Sequence, residues 1–424
     1  MSLSSPVRWW FILGREPLLS LAELFAVLKI PLTSWPTNRA EYITPLCRIS
    51  GTFDEASMVI QQLGGTVKIA AELDRGLSES ALVAAILKEL RTIEGKIHFG
   101  ISWYGAEPGA WSLQRIEHWG KEIKKQLTVA GRSVRYIYKG ETTLSSVTVA
   151  KNGLDKRGRE FIITRINGKD STDSNYYGLA KTIAVQPFEE FSARDFGRPG
   201  RDSRSGMLPP KLAMMMINIA TASLPQFTIH SSQFTVLDPF CGSGTILTEA
   251  VLLSYKNIIG ADVSTKAVAD TKQNFDWLNH HYSPLSTHYS LQLFQSDVRD
   301  LSQKIPQHSV DAIVTEPYLG PPLRSRESLE QIKKNCQELF GLYRDAFVEF
   351  KKVLRPGGIT VFIIPRFFVG GAWHTISDKL IPELKTLGFT KERLLPTEIT
   401  PTTYILYHRP EQMVGREIWK FRLT

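Results

Sequence analysis

The sharpest chemical signal in the chain is VLDPFCGSGT, residues 236–245, where an apolar strand ends in Asp238 and a turn with Gly242 and Gly244 opens a helix. Glycines there admit unusual backbone angles and let the main chain approach a ligand closely at the helix N-terminus. A dinucleotide fingerprint needs G-x-G-x-x-G and a phosphate loop ends in Gly-Lys-Ser/Thr; Gly242-Ser243-Gly244-Thr245 supplies neither, which disfavours a pyrophosphate. The next apolar segment ends in Gly260-Ala261-Asp262, an acid placed to accept hydrogen bonds from ribose hydroxyls. A third leads to Ser296-Asp297-Val298, an acid placed to accept from the exocyclic amine of an adenine. An adenosine without phosphates fits these strand ends.

Together these stretches resemble class I methyltransferases, and DPFCGSGT resembles the version carried by amino-methylating nucleic-acid enzymes. The resemblance implies S-adenosylmethionine as cofactor, with Asp238, Gly242 and Gly244 around its methionyl part, Asp262 at the ribose and Asp297 at the adenine. Phe240 and Thr245 of the same turn join this cofactor-binding set. Cys241 reads as a packed small residue, because methyl transfer to an amine needs no covalent enzyme intermediate.

A fourth apolar segment, 312–314, runs into Thr315-Glu316-Pro317-Tyr318-Leu319-Gly320. This resembles the Asp/Asn-Pro-Pro-Tyr motif of enzymes that methylate exocyclic amines of bases. Such an amine is a poor nucleophile, since its lone pair is delocalised into the ring, and acceptors must hold its protons as the methyl arrives. In the family the first motif residue and a carbonyl do this, and the aromatic residue stacks on the extruded base. The resemblance makes Thr315, Glu316, Pro317 and Tyr318 the catalytic candidates. Pro317 and Tyr318 match; Thr315 stands for the Asp or Asn, and Glu316 for the first proline. Thr315 offers a hydroxyl and Glu316 a carboxylate from a shifted position, and the sequence leaves both open.

These residues need a scaffold. From residue 235 the pattern alternates strand and helix, at 235–238, 246–253, 258–262, 266–278, 290–295 and 312–314, which means a parallel sheet with helices on both faces. Leu354-Arg355-Pro356-Gly357-Gly358 reads as a turn before a strand at 360–365, and 404–407 with 417–423 as an antiparallel edge. Pro209 and Pro210 open a helix over 211–222.

The front half reads as a strand at 7–13, a helix announced by a capping box of Ser20 and Glu23, apolar stretches over 40–50, a helix at 54–63 and a strand at 67–72. A helix at 78–90, a strand at 98–104, a helix at 113–130 and strands at 134–138 and 160–166 follow. A polar stretch with Gly168, Asp170, Ser171 and Asp173 leads to Arg194, Arg198, Arg201 and Arg204 among glycines and prolines.

The segment 198–213 resembles the run-in to the catalytic strand of tRNA guanosine N2-methyltransferases of the position-ten type. Residues 11–24 resemble their opening, and HFGISWYG at 98–105 is similar to a strand of their THUMP domain, an RNA-binding module. The resemblance implies an α/β protein: a ferredoxin-like domain over 1–64, a THUMP-like domain over 65–170, a linker over 171–210 and a Rossmann-like class I methyltransferase domain over 211–424. It implies methylation of a guanosine 2-amino group in tRNA. Ribosomal RNA guanine methylation, DNA amino-methylation and non-catalytic RNA binding with a degenerate acceptor motif are the rival readings.

Bulk composition agrees with that division. The 424 residues exceed what one core organises, and 51 Lys+Arg against 42 Asp+Glu give a net charge of +9, which favours a polyanionic partner such as RNA. Lys121, Lys124, Lys125, Arg132, Arg135 and Lys139 are candidate backbone contacts in the front half. Arg198, Arg201 and Arg204 read as phosphate contacts or partners of Asp195 and Asp202. His280 and His281 do not read as metal ligands, and no metal is expected. Three scattered cysteines and an apolar run at 9–13 too short for a membrane span make the cytoplasm the expected location. Oligomeric state and accessory subunits leave no mark in the sequence.

Overall fold

The computed structural model describes residues 8–32, 40–51, 56–105, 109–166, 176–201, 207–221, 234–282, 289–323, 328–409 and 412–424. The chain forms two compact units, Met1–Ser20 with Ser34–Phe188, and Leu21–Thr33 with Glu189–Thr424.

The first unit is built on one eight-stranded sheet. Its strands are β1 (Arg8–Leu13), β2 (Ala40–Ile43), β3 (Leu46–Ser50), β4 (Thr66–Leu77), β5 (Ile97–Trp103), β6 (Val134–Ile137), β7 (Arg159–Ile166) and β8 (Tyr176–Val185), in the order β2-β3-β1-β4-β8-β7-β5-β6. Strand β4 is the pivot, antiparallel to β1 on one side and to β8 on the other. The helices Glu79–Arg91 and Ala110–Val129 bury Leu82, Ile86, Leu90, Ile116, Trp119 and Ile123 with Phe99, Trp103, Phe161 and Tyr177 of the strands. Buried polar groups here are mutually satisfied: Lys68 Nζ donates to Glu160 Oε1 and to the Leu144 carbonyl, while Ser102 and Thr182 donate to the two Glu160 oxygens.

Three expectations change in this half. The sheet runs without a break past Gly64 and Gly65, where the sequence suggested a domain boundary. The stretch read as a linker over 171–210 contains β8 and the helix Phe188–Ser192. Ser20 is no N-cap, because the helix Pro17–Val27 begins earlier with proline in its first turn, and the Ser20 hydroxyl donates to the Glu16 carbonyl. Glu23, the other half of that expected box, is fully buried and accepts from Asn218 Nδ2 at 2.7 Å. The polar stretch from Gly168 to Asp173 lies outside the described residues.

The second unit carries a mostly parallel sheet of β9 (Thr235–Asp238), β10 (Asn257–Asp262), β11 (Ser290–Gln295), β12 (Val310–Thr315), β13 (Leu354–Val369), β14 (Ala372–Thr375), β15 (Phe389–Glu392), β16 (Ile405–Tyr407) and β17 (Val414–Leu423). The order is β11-β10-β9-β12-β13-β17-β15, with β14 pairing β13 and β16 pairing β17. The first five strands are parallel and reverse direction of travel at β9, the switch point at which a doubly wound sheet opens a crevice. The predicted Rossmann-like architecture is the one observed.

Two local expectations differ. Leu354–Gly358 is not a turn before the strand but part of β13: the pairing jumps from Val310↔Leu354 to Ala312↔Ile359, and Gly357 at φ 78° absorbs the bulge. Residues 417–423 are not the sheet edge, since β17 has β13 on one side and β15 and β16 on the other. The helix Leu329–Val353, unforeseen in the sequence, buries Leu339, Tyr343, Phe347 and Phe350 against β12 and β13. No helix among the described residues is long and apolar enough to cross a membrane.

Candidate active site

Strand order sets the site. Neighbouring strands β11, β10, β9 and β12 end in or just before Asp297, Asp262, Asp238 and Glu316, so four acids line the carboxyl edge in a row. The expected cofactor residues and the acceptor motif are thereby brought together.

The turn after β9 is held in shape from several directions. Gly244, at φ 79°, precedes the helix Thr245–Leu252, and a Cβ there would stand 2.7 Å from Thr271 Cγ2, so both conformation and space require glycine. Gly242, at φ 52°, has nothing within 4 Å of where a Cβ would lie, which leaves that side of the turn open. Its N–H donates to Asp262 Oδ2 at 3.0 Å, and the Ser264 N–H donates to Oδ1 at 2.8 Å, fixing the Asp262 carboxylate. Thr271 Oγ1 donates to the Gly242 carbonyl and Asn274 Nδ2 to the Ser243 carbonyl, each at 2.8 Å. Sequence reasoning missed Thr271 and Asn274; their signal was two polar residues, three apart, on the buried face of the helix Thr265–His281.

Asp238 is buried and accepts from Thr315 Oγ1 at 2.6 Å and from the Phe240 N–H at 3.2 Å. Burial pushes its carboxyl up to about 7 against the pull of those two hydrogen bonds, with Asp262 and Glu316 adding to the rise. Phe240 is half-buried against the core. Cys241 is packed as expected, its N–H bonded to the Ala261 carbonyl at 2.9 Å and its thiol pushed up by burial. Asp297 accepts from the Arg299 N–H at 2.9 Å and caps the short turn Val298–Asp300.

On the acceptor side, Thr315 is fully buried with its hydroxyl proton committed to Asp238. Glu316 is largely buried and paired through one oxygen with the Arg416 guanidinium of β17. Burial raises its carboxyl and Arg416 opposes the rise. Pro317 is buried, whereas the Tyr318 side chain is 56% exposed. The Tyr318 carbonyl accepts from the Tyr343 hydroxyl at 2.7 Å, which pins the loop to the helix Leu329–Val353.

Arg198 departs from expectation. It is buried and donates to Thr245 Oγ1 at 2.6 Å, bracing the glycine turn, and of the two expected acids Asp195 lies within electrostatic reach of it. Arg201 remains exposed, and Asp202 and Arg204 lie outside the described residues. In the first unit Lys124, Lys125, Arg135 and Lys139 are exposed, Lys121 pairs with Glu117 at 2.5 Å, and Arg132 bonds the Ile93 carbonyl. His280 and His281 are exposed, and no cluster of metal-ligating side chains occurs among the described residues.

Residues 200–367 match the RMKL-like methyltransferase domain. The tRNA (guanine(10)-N2)-dimethyltransferase of Methanothermobacter thermautotrophicus is 30% identical over 190 residues, 45% of this chain and 47% of that protein. Its counterpart from Methanocaldococcus jannaschii is 28% identical over 194 residues, 44% of this chain and 48% of that protein. The chain thus spans about half the length of these curated relatives. A ribosomal RNA large subunit methyltransferase K/L from Shewanella frigidimarina is 34% identical over 92 residues, 22% of this chain and 12% of that protein. The crystal structure of TrmN from Thermus thermophilus superposes over 98% of this chain and 100% of its own, with a TM-score of 0.54 at 17% identity. The second unit is therefore similar in sequence to RMKL-like methyltransferase domains over 200–367, and the whole chain is similar in fold to TrmN.

Proposed function

We propose that the protein is an S-adenosylmethionine-dependent RNA methyltransferase that methylates the exocyclic 2-amino group of a guanosine in tRNA and works in the cytoplasm, with the first unit gripping the RNA. The observation that carries this reading is the row of acids on four adjacent strand ends, with Tyr318 exposed beside the last of them. The relatives named tRNA (guanine(10)-N2)-dimethyltransferase support the substrate.

The residues present suit the cofactor. The open face at Gly242 would admit a ligand against the main chain, Asp262, held by two N–H groups, would accept from ribose hydroxyls, and the buried Asp238 would pair with an ammonium. S-adenosylmethionine supplies an activated methyl group. The chain's own work is on the amine: Tyr318 stacks the extruded base, Glu316 accepts a hydrogen bond from the amine and takes the proton it loses, and Arg416 holds that carboxylate in place. Thr315 cannot serve the amine as a proton donor or ready acceptor while buried against Asp238.

Incubation with radiolabelled S-adenosylmethionine and unmodified tRNA, ribosomal RNA or duplex DNA in parallel tests this reading. Labelled N2-methylguanosine from tRNA is the expected product. Label confined to ribosomal RNA or to DNA would reassign the substrate, and cofactor binding without transfer would leave an RNA-binding protein.

Asp238 makes the site sensitive to pH. Its folded-state value, about 7, lies above the ordinary carboxylate range, so the folded chain holds more protons than the unfolded one and loses stability as pH rises from about 4 through about 7. Asp238→Asn is therefore expected to stabilise the fold at pH 8 by about 1–3 kcal/mol in urea titrations, while cofactor affinity measured by calorimetry falls. In the parent, affinity should rise as pH is raised through about 7. An affinity that is flat from pH 6 to 8 would contradict this role for Asp238.

A further inference from the structure

The carboxyl side of the second unit's sheet bears a further cluster of rings and cations. Thr315 stands opposite Phe362 in parallel strands, so Tyr318 and the residues beyond Pro365 leave the sheet on the same side. There β13 continues as a hairpin with β14, turned at Gly370 and Gly371, both at positive φ. Phe368 and Trp373 are direct cross-strand partners, so their side chains share a face, with ring centroids 5.2 Å apart.

Trp373 is fixed from several sides. It lies across Gly415, where a Cβ would come within 3.4 Å of its ring, the His408 ring meets it edge-on at 4.9 Å, and the Arg366 guanidinium sits 5.7 Å from its centroid. Phe368 rests beside this support and is 42% exposed. The adjacent Phe367 reaches Gly320, two residues past Tyr318: its Cζ lies 3.9 Å from where a Gly320 Cβ would be. Successive residues of a strand point to opposite faces, so it is the face of the hairpin opposite Phe368 that adjoins the acceptor loop. The Arg366 guanidinium and the His408 ring border the hairpin, Arg409 follows next in the chain, and the carboxylate paired with Arg366, Glu417 at 3.7 Å, is buried.

One exposed ring on a rigid support, bordered by cations, is too small a patch for a protein partner and suits an unpaired base with its phosphate. We propose that the Phe368–Trp373 hairpin stacks an unpaired nucleotide of the RNA outside the acceptor loop; the inference rests on the RNA-methyltransferase reading. Cation contact from Arg366 to Trp373 stiffens the platform, and the phosphate of the stacked nucleotide lies toward the bordering cations.

The test uses the full chain and a single-stranded oligouridine RNA. Binding is followed as the Trp373 fluorescence contribution, the difference between the parent and Trp373→Phe. RNA is expected to quench that contribution. Phe368→Leu should weaken binding roughly 5- to 100-fold, the range for loss of one base stack, while Phe368→Tyr stays close to the parent and the salt dependence of binding is unchanged in both. Equal affinity for Phe368→Leu and the parent, absence of quenching, or a Phe368-dependent self-association in sedimentation would each overturn the proposal. If quenching depends on Phe368 while no RNA is methylated, stacking stands and the methylation reading falls; if tRNA is methylated and Phe368→Leu is silent, stacking alone falls.

Discussion

Glu316→Gln is expected to lower turnover on RNA by roughly 100- to 1,000-fold while changing RNA and cofactor affinity little, because it removes the proton acceptor and keeps the shape. Glu316 is the motif acid with an oxygen to spare: Arg416 engages one carboxylate oxygen, and the side chain stands at the end of β12 beside exposed Tyr318. Thr315→Val is the matched control. Its hydroxyl serves Asp238, so that substitution should reduce stability by about 1–2 kcal/mol and spare most of the turnover of the folded protein. Single-turnover kinetics on both variants decides the point, and the opposite pattern, with Thr315→Val inactive and Glu316→Gln active, would return the acceptor role to the first motif position.

The second large effect belongs to stability. Arg194 forks onto Glu249, Nε to Oε1 at 2.7 Å and Nη2 to Oε2 at 3.3 Å, with its guanidinium 4.4 Å from the Phe191 ring centroid. Both side chains are buried, Glu249 entirely. Removing one partner of such a pair strands a charge in the interior, so Arg194→Met should destabilise the second unit by about 3–5 kcal/mol. Pairing that change with Glu249→Leu should recover most of the loss, since two apolar side chains leave no stranded charge. Urea unfolding monitored by circular dichroism measures both, and a single variant as stable as the parent would show that Glu249 is neutral in the fold.

The parallel sheet was legible because its signals are local. Each of 235–238, 258–262 and 312–314 is an apolar run and 290–295 an apolar–polar alternation, each followed by a turn or helix cue, and the observed strands agree within a few residues. The linker misled for the same reason: glycine, proline and arginine between 194 and 210 suggest exposed chain, yet Arg194 and Arg198 are buried by Glu249 and Thr245, partners distant in sequence. β8 was hidden because its neighbours, β4 and β7, declare themselves only through pairing. At the site, the acids could be named from their strand ends, but the choice between Thr315 and Glu316 turned on a hydrogen bond to Asp238 and an ion pair to Arg416, which no spacing reveals.

The unbroken sheet of the first unit bears on how the chain can be inherited. Because β4 lends one edge to β1 and the other to β8, the segments before and after Gly64 are not exchangeable modules. A recombination joint there would have to preserve register as well as reading frame, since a slip of one residue along β4 turns each of its side chains to the opposite face. A splice at Gly64 would therefore have to carry β1, β4 and β8 as one matched set.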